Sequence, residues 1–438
     1  MEAGTGPQLR LMQDADMRGR VVLIRVDHNV VKNGVIKDPY RIDATIGTLY
    51  AVAEKGGKPI LMTHVGRPLD KKTGTIRCRE QESVEPIVSY LERKLPVRIL
   101  APRLTADSER GITGFPDSLK SAVKDLAQGA ASMLYLPNTR WFHGEETGGP
   151  ERRQLAEQLA SLADLYVNDA FGSWQPHAST YDIASLLPSF AGLLLQKELA
   201  HLDLVLSPQK PFTAVVAGAK YDTKIGPLRA LYRKVDKLVL GGLMYNAYLS
   251  ARYGIEIAGV SDEDRRAAEE LVEMDLSGQK ILELDPVVES DTMDGRVEGA
   301  FRTVSLKTLR EKKRCGYIVD VSGESFNSPR VRDAFTSART IFANAVMGYM
   351  PFFHEGSRAL YQSLTGCEKG RKLFGGGDTL QEFKNLCPGE YMDGIDAPDT
   401  YYFTGGGSVL TAIERGTATG LEPVRALMTS NPDPGNGK

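Results

Sequence analysis

The sequence predicts an α/β protein of two domains, each built on a parallel sheet covered on both faces, with one helix joining them. Three observations carry this. The chain has 438 residues, more than one ordinary core organises. Short, mainly apolar runs alternate with amphipathic ones almost throughout, which is how strands buried on both faces read. Near the middle, a helical stretch lies between Pro188 and Pro208.

The elements follow in chain order. VVLIRV, from Val21, predicts a buried strand. RIDATIGTLYAVAEKG puts Ile42, Ile46, Leu49 and Ala53 on one helical face. PILMTH from Pro59, SMLYLP from Ser132 and LYVND from Leu165 continue the strand series in the first half. FTAVVAG from Phe212, KLVLGG from Lys237, KILEL from Lys280, YIVDV from Tyr317, TIFANAV from Thr340, KLFGGG from Lys372 and YYFTGGG from Tyr401 extend it through the second. The expected boundaries are residues 1–190 for the first domain, 191–209 for the helix and hinge, and 210–417 for the second domain.

Composition narrows the function. Apolar residues make up 42% of the chain, and a net charge of −2 with 25% charged residues describes a balanced, solvated surface. No global basic excess points to nucleic acid or an anionic membrane, so any anion site is local. The longest greasy stretch, ASLLPSFAGLLLQ, contains a proline and is too short to span a bilayer. The N-terminus lacks the apolar core of a secretion signal. Cys78, Cys315, Cys367 and Cys387 are scattered without metal-binding spacing and read as reduced thiols. A cytoplasmic monomer with no membrane or nucleic-acid partner is expected.

Two glycine turns, LFGGGDT and YFTGGGS, stand where a strand hands over to a helix. Ligands of α/β sheets bind at such strand ends. Glycine lets the backbone approach a ligand closely, and the N–H groups of the first helical turn point at an anion. Gly375, Gly376 and Gly377 therefore form one candidate phosphate cradle, and Gly405, Gly406 and Gly407 a second. Asp378 would repel a bare phosphate but suits a bridging magnesium ion. A capped βα turn gives the same local pattern. Two such turns in one half, beside AVVAGAKYDTKIGPL with Gly218, Lys220 and Lys224, favour a polyphosphate site. No Walker A motif and no GxGxxG after a strand occurs, which disfavours a P-loop NTPase and a dinucleotide dehydrogenase.

The first half carries its own set. Asp27, His28 and Asn29 end the first strand, and Arg41 opens the next helix. His64, Gly66 and Arg67 end the second strand, and Arg140 follows another. Cations gathered on one rim suit a small phosphorylated acid, and arginine forks match carboxylate and phosphate oxygens. Two anion sites on two domains point to transfer across a cleft, with both ligands brought in line.

Together, RVDHNV, ILMTHVGRP, YVNDAFG, HAST, LPSFAGLLLQKEL, GAKYDTKI, the Met347–Gly348 pair, GGGDT and TGGG resemble the phosphoglycerate kinase family, in that family's order, from about Val21 to Leu427. The resemblance implies two Rossmann-like, doubly wound domains, with the tail from about residue 418 returning to the first. The implied reaction is reversible phosphoryl transfer between 1,3-bisphosphoglycerate and ADP, yielding 3-phosphoglycerate and Mg-ATP. By the same resemblance, Asp27 and Asn29 meet the substrate's hydroxyl and carboxylate end. His64, Arg67 and Arg140 cradle its non-transferred phosphate, and Arg41 reaches the transferring group. Lys220 stabilises that group's oxygens, and Lys224 lies on the nucleotide phosphates. Gly218, Asn344, Gly376, Gly377, Asp378 and Thr379 form the nucleotide site, with Asp378 on magnesium. Gly376 and Gly406 serve the transition state. Hinge closure is expected to accompany turnover.

Three departures stand out against the family pattern. Gln175 replaces an arginine of the phosphate site, unless Arg152 or Arg153 reaches in. Pro351 takes the place of a glutamate that contacts the ribose hydroxyls. His28 replaces a phenylalanine, either as packing or as a ligand contact. Three readings stay open: an active kinase of this family, a non-catalytic binding relative, and a kinase of the same architecture for another carboxylate.

Overall fold

A computed structural model describes residues 8–218 and 225–430. The chain divides into two compact units, Met1–Ala200 with Ala418–Lys438, and His201–Thr417.

The first unit is built on a six-stranded sheet. Its strands are β1 (Val21–Val26), β2 (Lys58–Met62), β3 (Ile99–Leu100), β4 (Met133–Tyr135), β5 (Leu165–Asp169) and β6 (Ser189–Ala191). They lie in the order β3-β4-β2-β1-β5-β6, and every pairing is parallel. All six residues of β1 are buried, because helices cover both faces of this central strand. The chain leaves β1 in one direction and returns to its other side through β5. That reversal opens the crevice in which doubly wound sheets receive ligands.

The second unit repeats the plan with β7 (Phe212–Gly218), β8 (Lys237–Gly241), β9 (Ile281–Leu282), β10 (Thr340–Asn344), β11 (Arg371–Gly375) and β12 (Thr400–Phe403). The order is β9-β8-β7-β10-β11-β12, again wholly parallel, with the reversal at β7.

Helix α1 (Leu193–Leu206) contains the boundary between Ala200 and His201. Its start is held by Asp169, at the end of β5, whose Oδ1 accepts the Leu195 N–H at 3.0 Å. Thr48 accepts the Leu193 N–H at 3.0 Å. A Cβ on Gly192 would stand 2.2 Å from Asp169 Oδ1, so only glycine fits at this entry.

Some expectations need correction. YIVDV forms a strand, Tyr317–Val321, but in a separate antiparallel sheet with Val287–Ser290 and Phe301–Val304. Its apolar run looks like that of a central strand, and only the partner strands set its direction. The helical run after β1 splits into Tyr40–Asp43 and Ile46–Glu54. Its buried face is Ile42, Thr45, Thr48, Leu49 and Val52, whereas Ala53 is exposed. Strands β3 and β6 were not anticipated, being two and three residues long. Among the described residues, no helix is long and apolar enough to cross a membrane.

Candidate active site

In the first unit the candidate residues gather at the carboxyl ends of β1, β2 and β4. Arg25, the fifth residue of β1, is fully buried. Its Nε donates to Ser179 Oγ at 2.9 Å, and Ser179 Oγ in turn donates to Glu145. The charge of Arg25 is thus answered by a buried carboxylate through one hydroxyl. A second guanidinium nitrogen of Arg25 lies 3.1 Å from His64 Nδ1. Arginine only donates, so Nδ1 must accept and the ring proton sits on Nε2. Burial first, then the charges of Arg140, Arg25, His177 and Arg41, hold His64 well below the ordinary histidine range. His64 therefore enters the site as a neutral donor, not as a cation.

Asp27 pairs through Oδ2 with Arg41 at 3.1 Å, while its Oδ1 is buried without a partner among the described residues. Asn29 accepts the Gly66 N–H at 3.0 Å, and the Gly66 carbonyl accepts from Arg140 at 2.6 Å. Gly66 has φ +66, and a Cβ there would stand 2.5 Å from Glu82 Oε1. The loop after β2 can make these contacts only with glycine at its turn. Arg140 Nε is 3.1 Å from Glu146 Oε1, in an ion pair lying off the hydrogen-bond line. Burial lowers the pKa of Arg140, with Glu146 opposing and the charges of Arg25 and Arg67 adding to the shift. Arg67 itself is exposed.

Asn138, His177 and Arg25 belong to this cluster without having been singled out from the sequence. Asn138 ties the loops together, accepting from the Val65 and Arg140 N–H groups and donating to the Val65 and Glu82 carbonyls. Burial brings His177 to about 4, with Arg140, Arg25 and Arg152 among the nearby charges. Only the quoted HAST segment hinted at it. A lone buried arginine in a strand or an asparagine in a loop carries no periodic signal.

The departures now have positions. Gln175 is exposed. Arg153 pairs with Glu157 on its own helix at 3.2 Å and does not replace the missing cation. Arg152 is held by Asp182 at 2.8 Å and by the Pro176 carbonyl at 3.0 Å. Trp174 lines a small cavity together with Leu421, Pro423 and Val424 of the C-terminal segment. His28 is fully buried, its Nδ1 2.9 Å from Tyr135 Oη and its Nε2 2.9 Å from Thr45 Oγ1. Thr45 gives its own proton to the Ile42 carbonyl at 2.8 Å, so His28 donates from Nε2 and Tyr135 donates to Nδ1. His28 is a fully buried core residue with both ring nitrogens satisfied.

In the second unit, a cavity of about 820 Å³ lies at the strand reversal. Of the expected nucleotide residues, Gly218, Asn344, Gly376, Gly377, Asp378 and Thr379 all line it. Helix α2 (Gly242–Tyr253) follows β8, α3 (Gly377–Leu386) follows β11, and α4 (Gly406–Arg415) follows β12. Gly376 caps α3 at φ +105. The two glycine turns touch: a Cβ on Gly406 would stand 2.5 Å from Gly376 Cα and 2.6 Å from Asn344 Nδ2. Gly406 is buried, and its neighbour Gly407 lines the cavity instead. Glu382, one turn beyond Asp378 on α3, lines it too and was missed. Pro351 is exposed, and the lining at that loop comes from Tyr349 and Met350. Lys220 and Lys224 lie outside the described residues. No group of three or more His, Cys, Asp or Glu among the described residues could hold a metal unaided.

Two doubly wound units, one with cations gathered at its strand ends and one with a glycine-lined cavity, are compatible with a phosphotransferase class of protein. Comparison with known proteins narrows the class. The phosphoglycerate kinase family model matches residues 12–415. Phosphoglycerate kinase of Trichodesmium erythraeum is 33% identical over 417 residues, covering 92% of this chain and 95% of that one. That of Thermus thermophilus is 31% identical over 426 residues, covering 94% and 99%. The structure of phosphoglycerate kinase from Coxiella burnetii superposes with a TM-score of 0.72 at 26% identity, over 96% of this chain and 99% of that one. The Pyrococcus horikoshii structure, at 21% identity and a TM-score of 0.75, shares the fold over 96% and 99% of the two chains. The chain belongs to the phosphoglycerate kinase family.

Proposed function

We propose that this protein transfers a phosphoryl group reversibly between 1,3-bisphosphoglycerate and ADP, giving 3-phosphoglycerate and ATP, in glycolysis, gluconeogenesis or carbon fixation. One observation carries the reading: cations gather at the carboxyl ends of the first unit's strands, and glycine turns line a cavity at those of the second. In the first unit, Asp27 meets the substrate hydroxyl; its Oδ1, sealed and without a partner among the described residues, must be uncovered as the substrate enters. Asn29 has its carbonyl occupied by Gly66 and turns its amide to the carboxylate end. His64 Nε2–H, Arg67 and Arg140 take the phosphate that stays, and Arg41 takes the one that moves.

In the second unit, Gly218, Asn344, Gly376, Gly377 and Thr379 receive the nucleotide, with Lys224 on its phosphates. Lys220 stabilises the transferring group. Gly406 lets the second turn approach the first, and the Gly407 end of α4 presents its N–H groups. A magnesium ion fits the donor set: Asp378 is exposed in the first turn of α3 and lines the cavity, and magnesium asks for one or two carboxylates plus phosphate oxygens. When bound, the ion neutralises charge on the phosphates. The protein's own contribution is positioning and charge stabilisation; an anionic carboxylate attacks without needing a strong base.

A coupled assay with 3-phosphoglycerate and Mg-ATP tests the reading. Turnover that disappears in Arg41→Ala and Lys220→Ala supports it. Ligand binding without turnover makes the protein a non-catalytic relative. Turnover with a different acid alone makes it a kinase for that acid.

A further inference from the structure

Asn246 lies on α2, is 7% exposed, and lines the cavity of the second unit. Its Nδ2 donates to the Ile318 carbonyl at 2.9 Å. A carbonyl only accepts, so this bond fixes which way the side-chain amide faces. Oδ1 then points away from Ile318. It has no hydrogen-bond partner among the described residues, yet it is not among the sealed polar atoms that lack one. It keeps access to the cavity as a fixed acceptor.

Its surroundings are those of a flat apolar ring. Ile318, which orients the amide, lines the same cavity with Tyr317, Val319, Leu243 and Met293. Asn344 is a different asparagine, the one beside Gly376 and Gly406. Asn246 thus sits among apolar lining residues with its amide oriented by the Ile318 carbonyl.

We propose that Asn246 Oδ1 accepts a hydrogen bond from the exocyclic amine of adenine and so selects adenine over 6-oxopurine nucleotides. Adenine offers an N–H donor at C6. Hypoxanthine and guanine carry a carbonyl there, which would set two acceptors against each other without a shared proton. The inference rests on the nucleotide-binding reading of this cavity and goes beyond it by naming the residue that reads the base.

Calorimetric titration of the full chain with Mg-ADP, Mg-IDP and the magnesium diphosphate of purine riboside, which has no C6 substituent, tests this. The expected order is ADP tightest, purine riboside diphosphate next and IDP weakest, with about 3–10-fold between the first two. Asn246→Leu removes both polar groups at similar volume. It should bring the three affinities together while IDP binding persists, and persistent IDP binding also reports an intact fold. Equal affinities in the unsubstituted protein, or an unchanged order in Asn246→Leu, overturn the proposal. Should the variant not fold, the three ligands on the unsubstituted protein still decide. Absence of ADP binding altogether counts instead against the nucleotide-binding reading, and with it this proposal.

Discussion

Gly406 and Gly376 stand backbone to backbone: a Cβ on the first would lie 2.5 Å from the Cα and the N of the second. Each turn belongs to a different strand, β12 and β11, and the parallel pairing of those strands brings them level. Gly406→Ala forces the turns apart and should cost about 1–3 kcal/mol of stability, as overpacking does. It should also weaken ADP binding, because the displaced turn contains Gly376. Gly389→Ala, where a Cβ meets nothing within 4 Å, is the control for thermal melting and titration. Equal behaviour of the two variants would show that the turns yield freely.

Gln175 stands where the family resemblance implies an arginine, and Arg152 and Arg153 are held by Asp182 and Glu157. Gln175→Arg should tighten 3-phosphoglycerate binding roughly 10–100-fold, since a charged hydrogen bond contributes about 1.5–3 kcal/mol. Calorimetry with 3-phosphoglycerate alone measures it. Unchanged or weaker binding would mean that other groups already satisfy the phosphate.

Asp378→Asn removes the carboxylate assigned to magnesium while keeping its shape. ATP affinity should then become nearly insensitive to chelation by EDTA, whereas the unsubstituted protein loses affinity when magnesium is removed. Equal sensitivity of both proteins would assign the ion to another group, with Glu382 the next candidate.

His28 and pH are linked. Burial, then Arg25, brings its pKa from 6.5 to about 3. Between those values the unfolded chain carries a proton that the folded chain refuses. The stability this group contributes is full above pH 6.5 and declines as pH falls. His28→Phe should show a smaller fall in urea midpoint between about pH 7 and about pH 4.5. A fall as large as that of the unsubstituted protein would place the acid sensitivity elsewhere.

Asp169 has the opposite sign. Burial raises its carboxyl from 3.8 to about 6, opposed by Thr48 and the backbone at Leu195 and Leu194. The folded chain holds a proton that the unfolded chain releases, so this contribution is present at low pH and lost as pH rises through about 6. Asp169→Asn keeps an oxygen for the Leu195 N–H and does not ionise. Its melting temperature relative to the unsubstituted protein should rise from about pH 4.5 to about pH 7.5. A difference independent of pH would refute the buried-charge account.

Much of this was readable because local chemistry announces itself. VVLIRV reads as a strand buried on both faces, and glycines after strands read as tight βα turns, with a ligand rim as one of their two uses. The readable signals ended where partners decide. YIVDV looks like the other central strands, but its neighbours made it antiparallel. Gly406 and Gly407 are identical in sequence, yet one is buried against Gly376 and the other lines the cavity.

The sequence alone determined the class of each unit and the place of α1, and it named residues that the structure gathers at strand ends, because periodicity and glycine turns are short-range properties. Tertiary structure alone decided that His64 is neutral, that His28 is a core residue, that Arg153 pairs with Glu157, and which end of its amide Asn246 gives to Ile318. Each depends on a partner far along the chain. A side chain's charge, tautomer and facing follow from burial and from the atoms opposite it, which no local pattern records.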